Sequence, residues 1–249
     1  MTHIITIFNP KGGVGKSGTS VNLALYAAHF KLRTLLVDND AQKNTTNTLC
    51  AAIPTGSLHA SMLFEESLPE GLTPIVINKN LDLIPGDKKL KTVDSMVSGD
   101  DRNGRRALYQ IFRDNIRSVA GDYDLIIIDT PTTAEHRYTS ALVASDFCLA
   151  PATMEAFGMD GVQDLKEIVR NVKAQYGNPR LKDLGIMPNK VSPRSKLHTR
   201  TLTQLREANI KLLPETVYLR ADIENKLDLG KRSPAMLPAV KSILKEMGL

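Results

Sequence analysis

The chain has 249 residues, 42% hydrophobic and 24% charged, a balance that fits one large α/β domain spanning 1–249 and argues against disorder. Cys50 and Cys148 lack C-x-x-C spacing, which points to a reducing cytosol rather than a disulfide framework or an iron–sulfur site; no run of about 18 apolar residues and no signal peptide stands out either. The net charge of +5 and pI of about 9.1 suggest a polyanionic partner.

Ile4, Ile5, Ile7 and Phe8 predict a strand over 3–8, and the spacing of Val21, Leu23, Ala24, Leu25 and Ala28 predicts a helix over 16–30. Between them runs Asn9-Pro10-Lys11-Gly12-Gly13-Val14-Gly15-Lys16-Ser17. Strand, glycine loop and helix in that order form the setting of a phosphate-binding loop. Gly12, Gly13 and Gly15 let backbone N–H groups, Val14 among them, crowd around an anion at a helix start, where the dipole also favours negative charge. In such a loop Lys16 reaches the β- and γ-phosphates and the Ser17 hydroxyl sits on Mg²⁺. Gly18 follows, where glycine in a first helical turn costs up to about 1 kcal/mol.

Further strands are predicted at 33–38, 81–85, 123–129, 147–151 and 184–188, with a short one near 210–214. Short helices reach to about residue 65, and longer ones are predicted at 104–119, 134–145, 159–176, 196–208 and 235–247. The alternation implies a mostly parallel, doubly wound sheet with helices on both faces and right-handed crossovers. His3, His29, His59, His136 and His198 show no metal-ligand spacing and read as structural or exposed.

The segment Lys11-Gly12-Gly13-Val14-Gly15-Lys16-Ser17 resembles the deviant Walker A motif of the ParA/MinD family of ATPases, closest to the ParA partition proteins. By that resemblance Lys11 crosses a dimer interface to the nucleotide of the other subunit, and the active species is an ATP-sandwiched homodimer. Asp38-Asn39-Asp40-Ala41-Gln42 is similar to the family's Asp-x-Asp-Pro-Gln. Leu125-Ile126-Ile127-Ile128-Asp129-Thr130-Pro131 has the form of a Walker B strand, whose carboxylate reaches the ligand edge of the sheet. The resemblance implies that Asp129 holds Mg²⁺, that Asp40 positions the attacking water and that Asp38 lies near the Ser17–Mg²⁺ group. Strand-end carboxylates also serve as caps, so the division between Asp38 and Asp40 stays open. Asn189, ending Ile186-Met187-Pro188-Asn189, matches the family's adenine-reading Asn, although an Asn before a loop is also a turn residue. The run Asn189-Lys190-Val191-Ser192 lacks the acid of a guanine reader, so ATP is the expected nucleotide.

From Lys190 to Arg206 there are five basic residues and no acidic one. No aromatics interleave them, which favours duplex phosphates over stacked single strands. With the resemblance, Arg194, Lys196, Arg200, Arg220 and Arg232 become candidate contacts to non-specific duplex DNA. A slow Mg²⁺-dependent ATPase for plasmid or chromosome partition follows, cytoplasmic and nucleoid-associated, working with a centromere-binding ParB-like adaptor. A cargo-positioning relative shares every motif; a MinD-like membrane cycler and a ligase-like synthase are the other readings. The stripe Val240, Ile243, Leu244 and Met247 carries only two lysines opposite it, and packing against the domain is its expected use rather than stable membrane anchoring.

Overall fold

Short runs of isoleucine, leucine and valine set the centre of the molecule, because β-branched and aliphatic side chains suit a pleated surface covered on both faces. Strands β1 (His3–Ile7), β2 (Thr34–Asp38) and β5 (Leu125–Asp129) arise this way, and every residue of β2 and β5 is buried. The computed structural model describes residues 1–96, 101–155, 159–218 and 231–249. With β3 (Ile75–Asn78), β4 (Leu81–Ile84), β6 (Phe147–Thr153) and β7 (Lys182–Asn189), the strands form one sheet of order β3-β4-β2-β5-β1-β6-β7. All described pairings are parallel except β3–β4.

The antiparallel edge strand β3 adds to the expected set: its β-branched run Ile75-Val76-Ile77 is short, Val76 is 73% exposed and its ladder is irregular at Val76–Asn78. The strand expected near 210–214 makes only an isolated parallel bridge to β7 through Ile186 and Leu212. Ile186 N–H donates to the Lys211 carbonyl and Leu213 N–H to the Ile186 carbonyl, after which Pro214 cannot extend a ladder. Gly185, at φ +93°, permits this close approach because a Cβ there would meet the Lys211 carbonyl.

Alternate strand residues divide the interior into two cores. Ile5, Ile7, Leu36, Leu125, Ile127 and Leu149 face helices α1 (Lys16–His29) and α8 (Leu237–Met247). Ile4, Leu35, Val37, Ile126, Ile128 and Cys148 face α4 (Arg102–Ser118), α5 (Glu135–Ala144), α6 (Met159–Gln175) and α7 (Lys196–Glu207). The short α2 (Asn44–Leu49) and α3 (Leu90–Val93) lie between β2 and α4 in the chain. The stripe Val240, Ile243, Leu244 and Met247 is buried against α1's layer. Its entry is latched by Tyr26 Oη donating to the Ser233 carbonyl (3.0 Å) and Ser233 N–H donating to Asn22 Oδ1 (2.8 Å).

Because Ile127 is fully buried at the sheet centre, Ile127→Ala is expected to destabilise the fold by about 2–5 kcal/mol. Urea denaturation checks this, and a loss within measurement error would contradict the packing described.

Candidate functional site

Parallel register places Ile7, Asp129 and Asp38 side by side at the carboxyl edge of β1, β5 and β2. The loop leaving β1 turns at once into α1. Gly13 (φ +74°) and Gly15 (φ +93°) hold left-handed conformations that side-chain-bearing residues rarely adopt, and Gly15 caps the helix. A Cβ on Gly15 would also run into the Asn189 carboxamide nitrogen. Asn9 staples the loop to β6: its Nδ2 donates to the Pro151 carbonyl (2.9 Å) while its Oδ1 accepts from Lys11 N–H (2.9 Å).

Lys16 is buried, and its ammonium donates to the carbonyls of Asn9 (2.9 Å) and Lys11 (3.1 Å). Burial lowers its pKa, opposed by the charges of Asp129 and Asp40. A desolvated ammonium bonded to neutral carbonyls at a helix start is well placed to take an anion.

The carboxylates take distinct environments. Asp129 is fully buried; Thr45 Oγ1 (2.6 Å), Ser20 Oγ (3.1 Å) and the Ser17 hydroxyl donate to it. Its pKa is raised by desolvation, which outweighs the hydroxyl donors and Lys16. Asp38, also fully buried, accepts from Thr46 N–H (2.7 Å) and Thr46 Oγ1 (2.6 Å), and so satisfies the first turn of α2. Burial and the adjacent Asp129 push its pKa up to about 7. Asp40 is half-buried and accepts from Gln42 N–H (3.0 Å).

A cavity of about 300 Å³ opens between Gly13–Gly18, Asp40, Asn44, Thr130, Thr132 and Lys190. Lys11 stands half-buried at the entry of the loop, and Thr19, after Gly18, donates its hydroxyl to the Gly15 carbonyl (2.9 Å). Asn189 is buried behind the loop, with Nδ2 donating to the Val14 carbonyl (2.8 Å) and Oδ1 accepting from Lys190 N–H (3.0 Å). The carboxamide thus fixes the loop, and its nitrogen carries a second proton.

Sequence reasoning missed several supports. Thr45 and Thr46 grip the two buried carboxylates; the hydroxyl-rich run Asn44-Thr45-Thr46-Asn47-Thr48 was the available signal. Asn39 Nδ2 donates to the Arg137 carbonyl (3.0 Å), and the buried Arg137 guanidinium pairs with Asp94 at 3.0 Å, tying the strand-end loop to α5 and α3. No local pattern marks that pair.

Of the basic candidates, Arg194, Lys196 and Arg200 are exposed together and line an open groove of about 560 Å³ along α7. Arg232 stacks 5.5 Å over the Tyr26 ring on the α1 layer, whereas α7 buries Leu202 and Leu205 in the opposite one. Arg220 lies outside the described residues. His198, among residues read only as structural or exposed, is 2% exposed and bonded at both ring nitrogens.

A family model described as AAA_31, an AAA domain, matches residues 2–183. The chain is 33% identical over 230 residues to protein IncC of Escherichia coli, covering 89% of this chain and 60% of the length of IncC. It is 34% identical over 207 residues to the chromosome partitioning protein ParA of Myxococcus xanthus, covering 82% of this chain and 70% of the relative. Among solved structures it is similar in fold to cobyrinic acid a,c-diamide synthase of Mycobacterium smegmatis with bound ADP and magnesium. The TM-score there is 0.80, with 21% identity over 100% of this chain and 96% of that one.

The raised pKa of Asp38, about 7 against an ordinary 3.8, has a definite sign. The fold prefers the protonated acid, so this contribution to stability is complete below the ordinary value and is lost as pH rises toward and through about 7. Asp38→Asn should remove that loss: the nucleotide-free variant is expected to gain on wild type in urea midpoint between pH 4 and 8. Parallel midpoint curves would contradict the burial-driven shift.

Proposed function

The chain belongs to the ParA-type AAA_31 family of P-loop ATPases, and from that premise we propose that it binds ATP with magnesium, hydrolyses it as an ATP-sandwiched homodimer, and uses that dimer to hold duplex DNA without sequence preference during plasmid or chromosome partition. The observation that carries this reading is a buried ammonium, Lys16, that lines one cavity at a left-handed glycine loop, with a buried, hydroxyl-ringed carboxylate, Asp129, behind it and joined to the cavity through Ser17.

The donor chemistry fits both ligands. The start of α1 and Lys16 suit a polyphosphate. Ser17 and Asp129, a hydroxyl beside a carboxylate, are hard oxygen donors suited to magnesium, with Asp38 next to them. Magnesium, when bound, neutralises charge on the β- and γ-phosphates. Lys16 holds the β- and γ-phosphoryl oxygens. Asp40, on the cavity wall, orients the attacking water, and Lys11 is presented to the nucleotide of the second subunit. Asn189 reads the adenine edge with its second amide proton while it braces Val14. Turnover is slow until the dimer closes and an adaptor of the ParB type engages it, in a cytoplasmic, nucleoid-associated cycle.

Partition is preferred over membrane cycling because the apolar stripe of α8 is consumed by packing on α1's layer. It is preferred over a synthase because the exposed Arg194, Lys196 and Arg200 then have a role. Two such surfaces in one dimer gain affinity from bivalency. Phosphate contacts carry no sequence information, which suits a protein that uses bulk DNA as its track.

Lys16→Ala is expected to abolish ATP binding in equilibrium titration; ATP affinity equal to wild type would dismiss this loop as the site. Lys11→Ala should bind ATP yet stay monomeric in sedimentation with a non-hydrolysable analogue, where wild type dimerises; a wild type that stays monomeric refutes the sandwich.

Arg194→Glu combined with Arg200→Glu should remove duplex binding and spare ATP affinity. In wild type, log K should fall against log salt with a slope of about 0.9 per phosphate neutralised. A salt-independent affinity would place the contact elsewhere.

A further inference from the structure

The exposed basic residues Arg194, Lys196 and Arg200 lie at the start of α7, which is held by three bonds around one buried histidine. Ser195 caps the helix, its Oγ accepting from His198 N–H at 3.3 Å. Ser192 N–H donates to His198 Nδ1 at 2.9 Å. An Nδ1 that accepts leaves the ring proton on Nε2, which therefore donates to Glu155 Oε1 at 3.0 Å. The imidazole joins three chain segments: the connection leading from β7 into α7, the first turn of α7, and the residues that follow β6.

Those segments also touch the nucleotide cavity. Asn189 braces the phosphate loop, Lys190 lines the cavity, and Ser192 follows two residues later. Lys190 is held at φ +52°, a left-handed conformation costly for a residue with a side chain. Val191 N–H, between them, donates to the Val217 carbonyl at 3.0 Å, which leaves Ser192 as the next point where movement can pass outward. On the other side, β6 receives the loop through Asn9 Nδ2 on the Pro151 carbonyl, four residues before Glu155. Both routes from the phosphate loop therefore converge on His198, which is 2% exposed and sits two residues from Lys196 and from Arg200.

We propose that His198 is a positioning residue that couples nucleotide occupancy to the orientation of the basic face of α7, with Ser192 and Glu155 as its two arms. This rests on the DNA-binding reading above. Movement of the Asn189–Lys190 corner around a nucleotide shifts Ser192, the imidazole carries that shift into the capped first turn, and Arg194, Lys196 and Arg200 are re-aimed together. Packing makes such a link effective because the ring has no room to absorb the displacement.

The test titrates a fluorescent duplex into wild type and His198→Ala, with and without a non-hydrolysable ATP analogue. ATP affinity should hold, while the analogue-induced gain in duplex affinity shrinks by about tenfold, a usual size for coupling between sites. His198→Asn, whose side-chain oxygen can still accept from Ser192, should restore most of the gain. An undiminished gain in His198→Ala overturns the inference. If His198→Ala does not fold, Glu155→Ala replaces it, since the Glu155 side chain is 70% exposed; a shrunken gain supports the coupling and an unchanged one overturns it. Amide exchange distinguishes this failure from failure of the DNA reading. If wild type ignores the duplex in both states, the DNA reading falls and exchange alone decides the coupling. An analogue-induced change in protection at Ser192 and over 196–200 that the variant loses upholds it, and identical patterns in the two proteins reject it.

Discussion

Two fully buried carboxylates, Asp38 and Asp129, stand directly opposite each other on adjacent parallel strands. Like charges in a desolvated setting are costly, and neighbouring donors must offset that cost or one group must hold a proton. Both occur here. Thr45 and Thr46, consecutive residues of α2, each donate a hydroxyl, one to Asp129 and the other to Asp38. Ser17 and Ser20 of α1 add two more donors to Asp129. The placement of α1 and α2 on the carboxyl edge of the sheet is thus bound up with the electrostatics of this pair, and the same arrangement leaves a negative, hydroxyl-lined floor beside the Lys16 ammonium.

That floor explains why a site with both signs of charge coexists with a well-packed sheet. The strands below it are closed on both faces by aliphatic side chains, so charge is confined to strand ends, where loops can supply donors. Glycines at left-handed φ let the loop backbone approach the same edge. Asn9 and Asn189 then lock the loop to β6 and β7 with single side-chain bonds. The result is a preorganised cradle whose supports come from five of the seven strands' worth of sequence, while the basic face of α7 lies one connection away from it.

The phosphate loop was legible because its chemistry is local: glycine, lysine and serine must follow one another within one turn of chain. The buried strand β5 was equally legible, since Leu125–Ile128 form an apolar run ended by Asp129. The edge strand β3 was not, although Ile75-Val76-Ile77 is a β-branched run, because the strand is only four residues long, shows no alternation along the chain and pairs irregularly with β4. The segment near 210–214 looked like a strand because Ile210, Leu212 and Leu213 are apolar. Tertiary context gave it one bridge, with Gly185 admitting the Lys211 carbonyl and Pro214 ending the run.

By itself the sequence determined the fold class, the position of the phosphate loop, the carboxylates at strand ends and the packing use of the last helix, because each depends on periodicity or on residues adjacent in the chain. Only the tertiary structure decided which partners those residues acquire. Pairing Asp38 with Asp129 requires the β2–β5 register; joining Arg137 to Asp94 and Asn39 requires α5 to lie beside α3 and the β2 end; placing His198 between Ser192 and Glu155 requires α7 to pack where β6 ends. Likewise, Arg232 resembles the α7 cations in charge, yet it is placed against Tyr26 on the other layer. Spacing along the chain carries no record of such distances, since they are set when helices close over the two faces of the sheet.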